Sequence, residues 1–445
     1  MKKISRRNFM LATGAGIVAA PGIAGLIMGE RGVEVDSVRN TSLWTTQAPS
    51  LPQQPRFEGE RKVDLVIVGG GYTGLACAYY AKKFRPNWSV IVLESHTIGS
   101  GASSRNSGAV SAKYQGLAEK DMPQRGFDRL SRFIDAEKID CNFGPTTLLE
   151  MLTSKEAAQA ASVDPVHNKN WISAAALRER IGTGYYTGAI ENTDSYTVHP
   201  AKLVIGHAQA ALEVGVELFE HSPMLDIEHG KPAEISTPSG KIRADNVCIA
   251  TNAYTPRLGM FKASMYPLHQ YTLATRRLSN QEITAFGLDQ WNLRFEEHTL
   301  PITFSLTPSG HFFIRIVLGY AGLDSSIWPD LAAARRLAAH LFEKRYPGIS
   351  NIGLEHGWSG VTGHTLLGQQ IAGPIGDGNI HVSVAYNGSG IMPSHNNGYL
   401  TACQITGHSD SDTQFLSGTS GQLLVPSGFY RNLLLKPGLS LLAPA

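Results

Sequence analysis

Three glycines and one acid carry the first recognisable chemistry of this sequence. Gly69, Gly71 and Gly74 stand in the pattern Gly-x-Gly-x-x-Gly, and Glu94 follows 20 residues after the last of them. The first glycine permits a sharp turn, the second lets a pyrophosphate approach the backbone, and the third lets a helix pack closely on a strand. At the start of that helix, free backbone N–H groups point outward, with Tyr72 and Thr73 among the residues there. Glu94, with Ser95 beside it, can accept hydrogen bonds from both hydroxyls of a ribose, and its charge disfavours a 2′-phosphate. These residues at this spacing bind an adenine dinucleotide other than NADP.

The elements that must hold them are legible on either side. Val63 to Val68 is a nearly continuous apolar run, as in a strand buried on both faces. Leu75 to Phe84 reads as a helix with small and apolar residues toward the sheet, and Val90 to Leu93 as the next strand, closed by Glu94. Strand, glycine turn, helix and strand predict an α/β, doubly wound, Rossmann-like domain.

The motif by itself leaves FAD and NAD open. The stretch after Glu94, "SHTIGSGASSRNSGAV", is rich in Gly and Ser and lacks the apolar third strand of a simple NAD domain. Its small hydroxyl residues and free N–H groups suit a pyrophosphate and a flavin ring. A second strand, glycine loop and helix comes late in the chain: His381 to Ala385, then Asn387-Gly388-Ser389-Gly390, then a helix from about Pro393 to Thr406. Such a helix start, with Gly388, Gly390 and Ile391, can stabilise negative charge on a reduced flavin. A plain tight turn fits those residues equally.

Gly101-Ala102-Ser103-Ser104-Arg105-Asn106-Ser107-Gly108 resembles the "GASGRNGG" element of FAD-dependent amine and amino-acid oxidoreductases of the D-amino-acid-oxidase superfamily, in particular its gamma-glutamylputrescine oxidase-like branch. Further segments resemble that branch in order. They are Ser42-Leu43-Trp44 with its Pro-rich surroundings, "TVHPAKLVIGHAQAALEVGVELFEHSPMLDI", "ADNVCIATNAYTPRLG", "TPSGHFFIR", "GWSGVTGHTLLGQQIAGPIG" and "NIHVSVAYNGSGIMPSHNNGYLTACQITG". Together they span about 42–407. The chain departs from the pattern at His311, where the family usually has Arg, at His364 to Gly368, where it usually has an Asp before a Pro, and at Gly388-Ser389-Gly390, where it often has Gly-His-Gly.

The resemblance implies an FAD-binding domain built from 61–115, 190–262 and 355–407. An interleaved α+β substrate domain on a mostly antiparallel sheet would come from 116–189 and 263–354. It implies FAD held non-covalently by Gly69, Gly71, Tyr72, Thr73, Gly74, Glu94, Ser95, Ala102, Ser103, Ser104, Asn106, Met224, Thr251, Gly388, Gly390 and Ile391. The linking Cys or His of related covalent branches has no counterpart, apart from His364. The implied reaction moves a hydride from a carbon bearing nitrogen to flavin N5, leaving an imine that water hydrolyses. The cofactor carries this chemistry, so few catalytic residues are needed. Arg315 is a candidate partner for a substrate carboxylate. His364 is, with Arg315, a candidate catalytic residue, and His311 could also face the cavity. Along one strand, alternation puts His269 and Tyr271 on one face and Tyr266 on the other, as a polar aromatic lid or as ordinary sheet packing. Trp358 packs near the flavin or fills a core. Oxidation of a hydroxy acid or alcohol, and a non-catalytic FAD-binding maturation factor, are the competing functions.

Composition sets outer bounds. The chain has 445 residues, 42% of them apolar and 17% charged, with 46 glycines scattered among periodic segments. That is long enough for two or three domains. The net charge is +2, and Lys2, Lys3, Arg6 and Arg7 supply four positive charges, so the body is near neutral and predicts no nucleic-acid partner. Cys77, Cys141, Cys248 and Cys403 show no metal-ligand spacing; Cys77, Cys248 and Cys403 read as small core residues. No metal site is expected.

Ser5-Arg6-Arg7-Asn8-Phe9-Met10 before an apolar stretch resembles a twin-arginine export signal, within residues 1–30. It predicts passage through the twin-arginine translocase in folded form, a periplasmic location, and either a cleaved signal or an inner-membrane anchor. Folded export suits a protein that must take up a cytoplasmic cofactor first. Residues 31–60 read as a linker with extended segments, and 408–445 as a C-terminal tail. Oxygen or a respiratory carrier would accept the electrons.

Overall fold

The structure is a computed structural model that describes residues 41–111, 122–164, 170–288, 293–296, 302–320, 331–416, 418–419 and 424. The 1–30 signal segment and most of the 408–445 tail lie outside the described residues. Helix α1 (Leu43–Gln47) precedes β1 (Gly59–Val68), α2 (Tyr72–Phe84), β2 (Val90–Leu93) and β3 (Ala109–Ser111). Then come α3 (Met122–Ala136), β4 (Gly144–Leu152), α4 (Lys155–Val163), β5 (Trp171–Ser173), α5 (Ala174–Ile181) and β6 (Gly188–Thr197). Helix α6 (Pro200–Glu213) leads to β7 (Glu217–Phe219), β8 (Asp226–Glu228), β9 (Ala233–Thr237) and β10 (Gly240–Ile249). The chain continues with β11 (Tyr266–Arg277), α7 (Asn280–Ala285), β12 (Leu293–Glu296), β13 (Ile302–Leu306) and β14 (His311–Tyr320). It closes with α8 (Leu331–Arg345), α9 (Pro347–Ser350), β15 (Leu354–His364), β16 (Ile371–Ile375), β17 (Ile380–Val384) and α10 (Ile391–Thr406).

The first sheet runs β16-β17-β10-β1-β2-β7, with β9 added on β10 and β8 on β9. Its central strands β7, β2, β1, β10 and β17 are parallel. Alternation along β1 explains why the run Val63 to Val68 is apolar throughout. Leu65 and Ile67 pack with Leu75, Cys77 and Ala78 of α2, whereas Val66 and Val68 pack with Met224, Ile235 and Ile242 on the opposite face. From β1 the chain steps outward to β2 and β7, then returns to β10 on the other side of β1. The order therefore reverses between β1 and β10, where a crevice opens beyond the carboxyl ends of the strands.

The second sheet runs β15-β11-β14-β13-β12-β4-β6-β3, with β5 on β6. Its described pairs are antiparallel except β12 with β4. One face packs on α8 through Phe304, Ile314, Leu341 and Phe342. The other faces the crevice of the first sheet.

Several local expectations shift. The sequence places 61–115, 190–262 and 355–407 in the nucleotide domain, but β3, β6 and β15 within them belong to the second sheet, β3 pairing with β6 and β15 with β11. Periodicity marks a strand without naming the sheet it joins. Helix α2 begins at Tyr72, capped by Gly71, and α10 begins at Ile391 after Gly390. Pro393 sits inside the first turn of α10, where its missing N–H costs nothing. Part of the expected linker is docked: Leu43 and Trp44 are buried, with the Trp44 ring 5.0 Å from His199 and 6.0 Å from Phe313. All four cysteines are buried and unbridged. Among the described residues no helix is long and apolar enough to cross a membrane.

Candidate active site

A cavity of about 810 Å³ runs from the end of β2, past the glycine turn, to the exposed face of the second sheet. Its first part is made by the turn after β1. Gly69 has φ +112°, a conformation that favours glycine, and a Cβ there would lie 2.8 Å from the carbonyl oxygen of Ala250, just after β10. A Cβ at Gly71 would lie 2.9 Å from Ser103 Oγ. Gly74 does not line the cavity; a Cβ there would sit 2.0 Å from the carbonyl oxygen of Gly69, so this glycine sets how closely α2 approaches β1.

Glu94 is held in place before any ligand arrives. The Gly70 N–H donates to its Oε2 at 2.8 Å, and the His96 N–H and Ser95 hydroxyl donate to its Oε1 at 2.9 and 3.1 Å. Each carboxylate oxygen keeps further acceptor capacity for a ribose hydroxyl.

The loop 101–108 wraps the middle of the cavity, and its shape is fixed from both sides. Within it, Asn106 Nδ2 donates to the carbonyls of Ala102 and Ser103, Asn106 Oδ1 accepts from the Gly108 N–H, and Ser103 Oγ accepts from the Tyr72 N–H. From outside, three donors reach three consecutive carbonyls. Ser42 Oγ donates to Ser104 at 2.7 Å, Trp358 Nε1 to Arg105 at 3.0 Å and Trp44 Nε1 to Asn106 at 2.9 Å. Ser104 itself stands off the cavity. Trp358 thus fills a core with Trp44 and Phe313 while buttressing this loop.

Opposite lies the second glycine loop. Ala385, Asn387 and Gly388 all have positive φ, and Gly390 and Ile391 open α10 at the cavity wall. Asn387 locks the turn, accepting from the Thr365 N–H at 2.9 Å and donating to the Ala385 carbonyl at 2.7 Å. Met224 and Thr251 complete this wall.

The substrate-facing part lies on the second sheet. Arg315 on β14 is 8% exposed, and its partners among the described residues are neutral: the side-chain carbonyl of Gln270, and Thr303 Oγ1 at 3.1 Å from the nearer guanidinium nitrogen. Burial lowers its pKa to about 10, which leaves it fully charged at neutral pH. Gln270 then donates to Thr362 Oγ1 at 2.8 Å, and Thr362 Oγ1 lies 2.8 Å from His364 Nε2. A hydroxyl has two lone pairs, so Thr362 can either donate to His364 Nε2 or accept from it while accepting from Gln270, and both forms leave the ring neutral. Burial, and then the charge of Arg315, bring the His364 pKa down to about 4, in agreement with a neutral ring.

Gly69, Gly71, Tyr72, Thr73, Glu94, Ser95, Ala102, Ser103, Asn106, Met224, Thr251, Gly388, Gly390, Ile391 and Arg315 all meet in this one cavity, whereas His364 stands behind it. The His364 ring stacks on Tyr266 with centroids 5.8 Å apart. His311 is also structural: its Nδ1 is 3.0 Å from the Thr275 carbonyl and its ring meets His356. On β11, alternation places His269 and Tyr271 side by side, with ring centroids 5.8 Å apart. Both His269 and Gln270 line the cavity, and Tyr271 is buried in the core around α8; the ladder between β11 and β14 has a register shift at His269 and Gln270. Sequence reasoning missed Gln270, Thr303 and Thr362. The available signal was a polar side chain interrupting otherwise apolar strand patterns.

The cradle fits FAD. Glycines leave room beside the turn, an acid is fixed at the end of β2, and two helix starts face a cavity that ends on a charged, partly apolar sheet. Residues 64–404 match the family described as FAD dependent oxidoreductase (DAO), and the chain belongs to that family. It is an FAD-dependent oxidoreductase with a mixed α/β, Rossmann-like cofactor fold. Among individual proteins it is similar to gamma-glutamylputrescine oxidoreductase of Escherichia coli, 29% identical over 78% of this chain and 84% of the relative. It is also similar to glycine oxidase of Bacillus subtilis, 26% identical over 71% of this chain and 85% of the relative. The crystal structure of glycine oxidase from Geobacillus kaustophilus shares the fold, with a TM-score of 0.64 at 19% identity, covering 82% of this chain and all of that one.

Proposed function

We propose that this protein oxidises the carbon–nitrogen bond of an amino acid or a carboxylate-bearing amine. The observation that carries the reading is Arg315, a buried charge at the cavity wall whose described partners are an amide and a hydroxyl. A buried guanidinium calls for an anion, and a carboxylate matches its planar fork. Bound FAD supplies the two-electron acceptor for the oxidation. The glycine turn 69–71, Glu94, the loop 101–108 and the start of α10 would hold it. Gln270 and Thr303 aim Arg315, so the substrate carboxylate is fixed and the neighbouring carbon is oriented. Neutral His364 fixes the Thr362 hydroxyl, which in turn fixes Gln270. The reactive amine is the neutral form, and Arg315 in the wall disfavours an ammonium beside it. The product imine leaves for hydrolysis by water.

The relatives support this class: gamma-glutamylputrescine oxidoreductase and glycine oxidase are both named for nitrogen-bearing substrates. Arg6-Arg7 before the apolar stretch supports export through the twin-arginine translocase to the periplasm, with the signal removed or kept as an anchor. Oxygen or a respiratory carrier reoxidises the flavin in this reading. Anaerobic mixing of the FAD-loaded protein with panels of amino acids, amines and hydroxy acids tests the reaction. Bleaching by amino acids supports it. Bleaching by hydroxy acids alone would move the reaction to a carbon–oxygen bond, and no bleaching would leave an FAD-binding maturation factor. Fractionation of cells with and without the translocase tests the location.

A further inference from the structure

The cavity floor does not end at Arg315. The registers of the second sheet carry it across four neighbouring strands. Arg315 lies opposite Thr303, Thr303 opposite Phe295, and Leu293, two residues before Phe295, opposite Leu148 on β4. Directly opposed residues share a face, so this row is one continuous surface. It is cationic at Arg315 and apolar through Phe295, Leu293 and Leu148.

The far end is polar again. Ser195 on β6 lines the cavity, is 1% exposed, and its hydroxyl has no hydrogen-bond partner among the described residues. Thr146 lies directly across the ladder from Ser195, and its hydroxyl is likewise buried without a described partner. Two neighbouring buried hydroxyls left unpaired are costly unless something supplies the missing bond. From β14 to β6 the floor crosses four strand spacings, on the order of 19 Å, far more than a glycine-sized substrate covers.

We propose that this end is a side-chain subsite, and that the substrate is an amino acid with a long apolar side chain ending in a hydrogen-bonding group. The inference rests on the reading of Arg315 as the carboxylate anchor. With the carboxylate there, methylenes lie over Phe295, Leu293 and Leu148, and the terminal group exchanges a hydrogen bond with Ser195, the one of the two hydroxyls whose residue lines the cavity.

A matched set of substrates long enough to cross that floor tests it on the FAD-loaded enzyme: alanine, an α-amino acid with a nonyl side chain, and its hydroxyoctyl isostere. Steady-state turnover with an added dye as electron acceptor gives kcat and KM, and the change in flavin absorbance on anaerobic titration gives binding directly. The hydroxyoctyl compound should exceed the nonyl compound by roughly tenfold in affinity and in kcat/KM, mostly through KM. Ser195→Ala should erase that preference, and Ser195→Leu, which fills the end, should raise KM for both long substrates more than for alanine. Equal affinity of the two isosteres in the parent enzyme, or a preference that survives in Ser195→Ala, overturns the subsite. If amino acids fail to reduce the flavin, the carbon–nitrogen reading falls, and the titrations still decide the subsite.

Discussion

Arg345 and Arg315 are buried on opposite faces of the same sheet. On the packed face, Arg345 is ion-paired with Glu296, both fully buried, and Tyr186 donates to the same carboxylate at 2.8 Å. Arg294 on that face lies over the Tyr346 ring at 4.8 Å. On the cavity face, Arg315 meets Gln270 and Thr303, and burial lowers its pKa with no carboxylate among the described residues to oppose it. The charge of Arg345 is thus balanced by Glu296 where no ligand can reach, and that of Arg315 is met by neutral orienting groups where one can.

Breaking the closed side should have the largest effect. Glu296→Gln strands a buried guanidinium and should cost about 3–5 kcal/mol of stability, read by urea unfolding, whereas joint replacement of Glu296 and Arg345 by apolar residues should recover most of it. Removing the open side should do the reverse. Arg315→Met should leave the unfolding midpoint near that of the parent or raise it, while kcat/KM for amino acids falls about a hundredfold or more. An amine lacking the carboxylate should be affected far less.

The cofactor side sharpens the contrast with a smaller effect. Trp44→Phe keeps a ring against His199 and Phe313 but loses the donor to the Asn106 carbonyl. It should weaken FAD binding by about tenfold, read by fluorescence of released flavin.

A separate effect is in pH. Burial lowers the pKa values of His207 and His364 to about 4. The unfolded chain therefore binds protons that the folded chain refuses between about pH 6.5 and 4. Stability should fall as pH falls through that window, by about 1.4 kcal/mol per pH unit for each histidine. His364→Gln should flatten the slope by one proton's worth.

Much of this was legible in the sequence because the nucleotide site is local. Gly69, Gly71, Gly74 and Glu94 lie within one strand–helix–strand unit, and their spacing encodes their roles. The loop 101–108 was legible through its small residues and its resemblance. What clamps that loop was not, because Ser42, Trp44 and Trp358 reach it only through tertiary packing. The substrate face was legible only at Arg315. Gln270, Thr362 and His364 become one hydrogen-bonded chain only when β11 and β15 pair. Ser195 looks like any strand serine until its empty hydroxyl is seen in the cavity.

Anaerobic titration of the FAD-loaded protein with an amino acid and with its decarboxylated amine, in the parent and in Arg315→Met, tests the central claim most directly. The account predicts loss of visible flavin absorbance with the amino acid in the parent, a strong preference for it over the amine, and collapse of that preference in Arg315→Met. A parent enzyme that treats both alike, or a variant that keeps the preference, would contradict it.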